Sequence, residues 1–285
     1  QRDGVRRISG IDAVINGQTE SIVSNIQYRG DNQMQVCTFG NGTHDQRTYD
    51  LQGRLVTQDL RDSGGTILDT RTYSHDANSN ILGIDTNVED NAYEYDKLDR
   101  LTGDGIDANP VVQFTYDLND NRLTRNSDAS TNETYEHSPV TNRLTRRVTT
   151  VTGVTPEDIA NRTYTYNNAN RQFRLSEEGQ VRADYIYNDQ GQRTRKTLYD
   201  AAGNVTETFI YHHDLNGRLV AETNPAAVPI KDYLWSSGYT AVAQIDHSLG
   251  LDEVAYLHVD HLMTARLATD TSENVGWRWE GLAFG

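Results

Sequence analysis

His258, Asp260 and His261 crowd four positions near the end of the chain, and imidazole with carboxylate is a metal-binding set. Alternate residues of a strand share a face, so His258 and Asp260 point one way and His261 the other. No third clustered ligand follows at a zinc-like spacing. The competing reading, a strand end held by hydrogen bonds, fits the spacing better. Asp76-x-Asn78-x-Asn80 and Asp117-x-Asn119-x-Asn121 imitate the opening of a calcium loop. Such a loop needs Gly at its sixth position, where Ile81 and Arg122 stand, and Asn87 occupies the place of the first loop's closing Glu. Local turn chemistry accounts for both segments. His212-His213 is a third candidate pair. Cys37 is the single cysteine, which leaves no disulfide framework and no four-thiolate centre within the chain; it reads as a small buried hydrophobe. Gly-x-Ser-x-Gly, phosphate-loop and dinucleotide signatures are absent from the sequence. No cofactor or metal is expected. Acidic residues are many, but no pair of carboxylates stands out for glycoside hydrolysis.

These residues sit on a repeat. Aligned on segments of the form Tyr-x-Tyr-Asp, an anchor position holds Asp50, Asp76, Asp96, Asp117, Ser138, Asn167, Asn188 and Asp214, at gaps of 20 to 29 residues. One residue before it stand Tyr49, His75, Tyr95, Tyr116, His137, Tyr166, Tyr187 and His213. Three before it stand Arg47, Tyr73, Tyr93, Phe114, Tyr135, Tyr164, Tyr185 and Tyr211. The two columns hold 11 of the 16 tyrosines, a concentration that random placement at a near-fixed period does not give. His213 therefore reads as a substitute for a ring. Three after the anchor come Gly53, Ser79, Asp99, Asp120, Thr141, Asn170, Gly191 and Gly217; Arg54 and its equivalents follow and open the next strand.

Residues two apart on a strand face the same way, so the ring columns make an aromatic strip on one face. Asp, Asn or Ser starts a turn by accepting a local backbone N–H, and Gly suits the turn's last position. A second turn in each unit is expected at Asp62-Ser63-Gly64-Gly65, Gly103-Asp104-Gly105 and Ala202-Gly203-Asn204. Each unit then reads as a hairpin of roughly 20 residues. Thr155-Pro156-Glu157-Asp158 has the cap, proline and acidic first turn of a short inserted helix. After Asn224-Pro225 the spacing lapses; Ala226–Ile230 reads as a connector, and a denser segment with Trp235, Trp277 and Trp279 follows. The fold class is all-β, with repeats over 1–224 and a continuous final segment over 225–285.

Composition agrees with a one-sided, wetted sheet. Hydrophobic residues make up 35% and mean hydropathy is −0.72, yet the aromatic content argues against disorder. A net charge of −15 disfavours binding to nucleic-acid backbone. Arg143, Arg146 and Arg147, the densest basic group, read as a solvated strand face. No apolar run is long enough for a membrane span, so membrane insertion is not expected. The chain begins without Met and shows no signal peptide, and it reads as a piece of something longer or as a processed product.

The columns resemble the tyrosine-aspartate (YD) repeats of the Rhs family. Thr38–Thr43 followed by Arg47-Thr48-Tyr49-Asp50-Leu51-Gln52-Gly53-Arg54-Leu55 is similar to that repeat nearly throughout. Tyr256-Leu257-His258-Val259-Asp260-His261-Leu262-Met263-Thr264-Ala265-Arg266 resembles the opening of the Rhs-associated core, and Trp277-Arg278-Trp279 through Phe284-Gly285 resembles its close. Met263 and Ala265 depart from that opening, standing where it has Gly and Pro. The resemblance implies a curved, spiralling sheet of serial hairpins forming part of a hollow β-shell. It implies a structural, non-enzymatic segment enclosing a C-terminal toxin or cargo, with that cargo and the rest of the shell as partners, in a secreted or cell-surface bacterial protein. The family's self-cleavage motif, Asp-Pro-x-Gly, is not in this sequence. The alternative is a cell-surface recognition module that binds carbohydrate or protein through aromatic and Asn/Asp groups.

Overall fold

One turn, used again and again, builds this chain. In the computed structural model the Asp50 N–H donates to the Arg54 carbonyl at 3.0 Å and the Gly53 N–H returns to the Asp50 carbonyl at 3.2 Å. Asp50 Oδ1 accepts the N–H groups of Gln52 and Arg54, each at 2.9 Å, and Arg54 Nε donates to Oδ2 at 2.6 Å. Gly53 takes a φ of 81°, and the strand register shifts between Thr48 and Tyr49. This is a type I turn closed by a left-handed residue and a bulge. Asp76, Asp96 and Asp117 repeat it with Ser79, Asp99 and Asp120 in the left-handed place. There Asn80, Arg100 and Asn121 supply the side-chain donor.

The structure describes residues 1–106, 109–127, 131–151, 160–236, 240–248, 250 and 252–279. Among them lie 24 strands and no helix, in a single antiparallel sheet that is not closed. By its contacts the chain divides into two units.

The first unit comprises Gln1–Asn91, Arg218–Ala221 and Pro229–Gly285. It holds β1 (Ile11–Ile15), β2 (Gln18–Tyr28), β3 (Met34–Phe39), β4 (His44–Tyr49), β5 (Leu55–Arg61), β6 (Ile67–His75) and β7 (Ile81–Thr86), each pairing with the next. β8 (Asp90–Tyr95) follows these and β19 (Leu219–Thr223) comes later in the chain. The final ribbon is β20 (Pro229–Trp235), β21 (Ala241–Asp246), β22 (Glu253–Val259), β23 (Ala265–Thr269) and β24 (Val275–Arg278). The two ribbons form a two-layered body. Ile22, Val23, Cys37 and Phe39 pack against Val242, Ala243, Val254 and Tyr256 in one core. Gly40 marks how closely they approach, since a Cβ there would lie 1.8 Å from the Ser21 carbonyl oxygen and 2.7 Å from Tyr256 Oη.

The second unit comprises Ala92–Gly217 and Glu222–Val228. Its strands are β9 (Leu101–Ile106), β10 (Asn109–Tyr116), β11 (Arg122–Ser127), β12 (Thr131–His137), β13 (Leu144–Val151), β14 (Ala160–Tyr166), β15 (Gln172–Glu177), β16 (Gln180–Tyr187), β17 (Arg193–Tyr199) and β18 (Val205–His213). Most of their described side chains are half-buried, and Val112, Phe114, Tyr135 and Ala183 are among the few that are fully buried. Arginine couples successive repeats here: Arg100 holds Asp96, donates to the Asp117 carbonyl at 3.0 Å and lies 5.0 Å over the Tyr116 ring.

Several expectations change. Gly103-Asp104-Gly105 is not a turn but the middle of β9, where Glu94 crowds the face of Gly103 so closely that a Cβ would meet it at 2.9 Å. At Ser138 the turn is one residue longer, with Asn142 at a φ of 55° in the left-handed place and Arg143 opening the strand. Thr141 does not take that place, because a β-branched side chain clashes at positive φ. Ala226–Ile230 is no loose connector. Asn224 makes the same turn, its Oδ1 accepting the N–H groups of Ala226 and Val228, and β20 begins at Pro229. The turns at Asp62–Gly65 and Asp200–Asn204 are present. The helix expected at Thr155–Asp158, and the close at Phe284-Gly285, lie outside the described residues.

Candidate functional site

The first unit is fastened by a buried polar seam between its repeats and its final ribbon. Asp45 and Arg47, on the same face of β4, are 2% and 6% exposed. Arg47 Nη2 donates to Asp45 Oδ2 at 2.8 Å, and Nε contacts both carboxylate oxygens at 3.2 Å. Gln58 Nε2, from β5, donates to Asp45 Oδ2 at 2.9 Å. Arg47 and Gln58 then reach across more than 200 residues of sequence to the Val259 carbonyl, at 3.2 and 2.8 Å. That carbonyl ends β22, immediately before the Asp260 turn. The ion pair tolerates burial because its hydrogen-bonding capacity is largely taken up.

Three further contacts extend the seam. Asn41 Nδ2 donates to Thr269 Oγ1 at 2.9 Å and to the Asp270 carbonyl at 2.7 Å. The Ser63 N–H and hydroxyl both donate to the Glu273 carboxylate at 3.1 Å. Arg278 donates to Asp69, which also accepts from Arg71, and to the Leu68 carbonyl. Behind the seam lies a cavity of about 410 Å³, with apolar walls from Val23, Ile26 and Val242 and polar groups from Asp45, Arg47 and His261.

The histidines of the final segment join this interior separately. His258 is 5% exposed and stands edge-on to Phe39, with ring centroids 4.4 Å apart. Its Nε2 shares a 2.9 Å hydrogen bond with Thr269 Oγ1, which also accepts from Asn41. Burial drives its pKa down to about 3, so the ring is neutral. His261 packs edge-on against Tyr73 at 5.1 Å, and burial lowers its pKa too. Asp260, 2% exposed, is a turn anchor: Oδ1 accepts the N–H groups of Leu262 and Thr264, and Arg266 Nε donates to Oδ2 at 2.7 Å. Met263 holds the left-handed place at a φ of 61°. Arg266 also lies 4.4 Å over Trp279, and Trp277 is 47% exposed on β24.

The repeat residues lie on turns and strand ends. Tyr49, Tyr116 and Tyr187 donate their hydroxyls to the carbonyls of Met34, Leu101 and Gln172. Tyr164 and Tyr166 are on β14, Tyr185 on β16, and Tyr211 and His213 on β18. Tyr93 and Tyr95 are on β8. Gly191 and Gly217 are left-handed, at φ 87° and 85°, in the turns of Asn188 and Asp214. The side chains four residues on hold the carboxyls of Asp76, Asp96 and Asp117 below the usual carboxylate range, with backbone N–H groups adding to the effect. In the calcium-like segments the carboxylates are thus spent on turn donors. Of the basic group, Arg146 pairs with Glu136 at 2.8 Å and Arg143 lies over Tyr166.

Asp45, Gln58, Asn41, Asp69, Arg71 and Glu273 were not legible as site residues in the sequence. Arg47 stood in a ring column of the repeat without being singled out as a site residue. No local signal finds them, since each is defined by a partner far along the chain.

No family model matches the chain. It is 25% identical over 208 residues, 72% of its length, to the tRNA3(Ser)-specific nuclease WapA of Bacillus spizizenii, and equally to the tRNA nuclease WapA of Bacillus subtilis. It spans 8% of the length of each. Among solved structures it is similar to a chain of the Photorhabdus luminescens Tc holotoxin pore, with 14% identity and a TM-score of 0.55. It is also similar to TcdB2–TccC3 without its hypervariable C-terminal region, with 15% identity and a TM-score of 0.54. Each likeness covers 96% of this chain and 16% of the other. They establish the fold.

Proposed function

We propose, for a chain that is Rhs/YD-repeat-like in its motifs, fold and relatives, that it is a wall segment of an enclosing β-shell. The rest of the shell and a C-terminal toxin or cargo would belong to a longer, secreted or cell-surface protein. Residues 225–285 would be the start of the Rhs-associated core, continuous with the repeats. The observation that carries this reading is the seam: a wall that confines a cargo has to keep successive ribbons fastened, and Asp45, Arg47 and Gln58 fasten the repeats to the Val259 carbonyl. The segment's role is structural, and no catalytic step is assigned to it. A likeness to nucleases that extend far beyond the matched region fits a wall carried in the same polypeptide as an active cargo.

The test is limited proteolysis of the parent protein with its cargo attached. Cargo in the intact parent should resist protease, and Arg47→Tyr in the same parent should expose it. Equal digestion of cargo in both, or of cargo in the parent and cargo expressed alone, contradicts enclosure. The half-exposed Trp277 favours a second reading, surface recognition of carbohydrate or protein. A glycan array that gives robust binding, with no effect of the segment on a co-expressed toxin, would support that one instead.

A further inference from the structure

Asn16-Gly17, Asn41-Gly42 and Asn216-Gly217 each lie in a turn. Asparagine followed by glycine is chemically labile, because a glycine has no Cβ to shield its backbone nitrogen from the asparagine side chain. The three pairs are alike in sequence and unlike in structure.

Asn41 is held at both reacting groups. The Gly42 N–H donates to the Phe39 carbonyl at 3.0 Å. Asn41 Nδ2 is tied into the seam at Thr269 Oγ1 and the Asp270 carbonyl, and Oδ1 accepts the N–H and hydroxyl of Thr43 at 3.1 and 2.8 Å. Asn216 is held at one. Its side chain is exposed, but the Gly217 N–H donates to the Asp214 carbonyl at 3.0 Å. Asn16 is held at neither. It and Gly17 alone join β1 to β2, with Ile15 directly opposite Gln18. Their φ values of 50° and 77° make a two-residue type I′ turn. Both residues are exposed, and among the described residues nothing accepts the Gly17 N–H or bonds the Asn16 side chain.

We propose that Asn16-Gly17 is a self-modification site, where the native chain deamidates through a cyclic imide, and that the isoaspartate formed there loosens β1. After losing its proton to hydroxide, the Gly17 nitrogen attacks Asn16 Cγ. A nitrogen–carbon bond forms, and the side-chain amide leaves as ammonia. Water then opens the five-membered imide at either carbonyl, giving aspartate or isoaspartate. The attack needs rotation about the Asn16 Cα–C bond, and at this tip that rotation takes no hydrogen bond from Gly17. Isoaspartate lengthens the main chain by a carbon, which a turn of two residues between paired strands does not accommodate. Ile15, beside the tip, is 3% exposed and belongs to the core with Ile22 and Val23, so the strain falls on buried packing.

The 285-residue chain is aged at mildly alkaline pH, native and unfolded in guanidinium chloride, and deamidation at each pair is followed by peptide mass mapping. Unfolded, the three pairs should react at similar rates. In the native chain Asn216 should be slowed about fivefold more than Asn16, the scale of one hydrogen bond that has to break first. Asn41 should be slower again. The Asn16 rate should rise with hydroxide, and Gly17→Ala should slow it while leaving the other two pairs unchanged. Amide exchange at Val14 and Ile15 should be faster in the purified isoaspartate chain than in Asn16→Asp, which carries the same charge on a main chain of normal length. Equal native rates at the three pairs, or a fastest rate at Asn41 or Asn216, overturn the proposal. So does amide exchange in the isoaspartate chain that matches Asn16→Asp.

Discussion

Arg47→Tyr separates the repeat pattern from the physics of the seam. Tyr or Phe fills the same column in every other repeat, as in Tyr73 and Tyr135, so the pattern makes Tyr neutral or stabilising. The structure requires the opposite. Tyr would leave Asp45, 2% exposed, with Gln58 as its remaining side-chain donor, and would remove one of two side-chain donors to the Val259 carbonyl. Breaking one partner from a buried ion pair costs about 3–5 kcal/mol. With a urea dependence of about 3 kcal/mol per molar, the midpoint should fall by roughly 1–1.7 M. Trp235, Trp277 and Trp279 are the chain's three tryptophans and all belong to the final segment, so their fluorescence reports the unfastening of that segment. Replacing both charges, Asp45→Leu with Arg47→Met, should recover much of the loss, because no buried charge is then left unpaired. A midpoint for Arg47→Tyr within about 0.2 M of the parent, the error of such a measurement, would refute the reasoning.

Three other outcomes follow from the same geometry. Asn142→Val should destabilise by about 1–2 kcal/mol in urea unfolding, because Asn142 and not Thr141 holds the left-handed place, whereas Thr141→Gly should change little. Gly40→Ala should lower the thermal midpoint and raise protease sensitivity, since its Cβ has no room against the Ser21 carbonyl. Stability should fall as pH drops from about 6.5 toward 3, the window between the unfolded and folded pKa of His258: the unfolded state binds the proton and the buried ring does not. At pH 5 this amounts to at most about 2 kcal/mol, and His258→Gln should flatten the urea midpoint between pH 7 and pH 5. The turn carboxylates such as Asp96 and Asp117 act lower: their stabilisation is present above about pH 3.9 and fades as pH falls through their depressed values.

What was legible in the sequence was what local chemistry decides. Asp50, Asp96 and Asp117 announce themselves because the anchor carboxylate, the left-handed residue and the Arg or Asn donor all lie within five residues. The rings two apart on each strand could be read for the same reason. Earlier turns at Asp3 and Arg29, and later ones at Asn224 and Asp270, use the same backbone pattern and escaped notice because their flanking residues lack the full ring pair. Gly103 and Gly105 suggested a turn, since sequence does not distinguish a glycine needed for φ from one needed for space beside Glu94. The seam was hidden for a different reason. Asp45, Arg47 and Gln58 look like an ordinary polar strand face until Val259, about 200 residues away, is folded onto them. His258 reads from its spacing as a strand-end residue held by hydrogen bonds, but the partners that surround it, Phe39 and Thr269, come only with the fold.

Spin labels at Ser63 and Ser272, in a Cys37→Ser background, test the seam itself by electron–electron distance measurement. The Ser63–Glu273 contact predicts one narrow population at short separation in the native chain, broadened and lengthened by Arg47→Tyr. A broad or long distribution in the unmutated chain would mean that the first repeats and the final ribbon do not form one two-layered body, and would contradict the account.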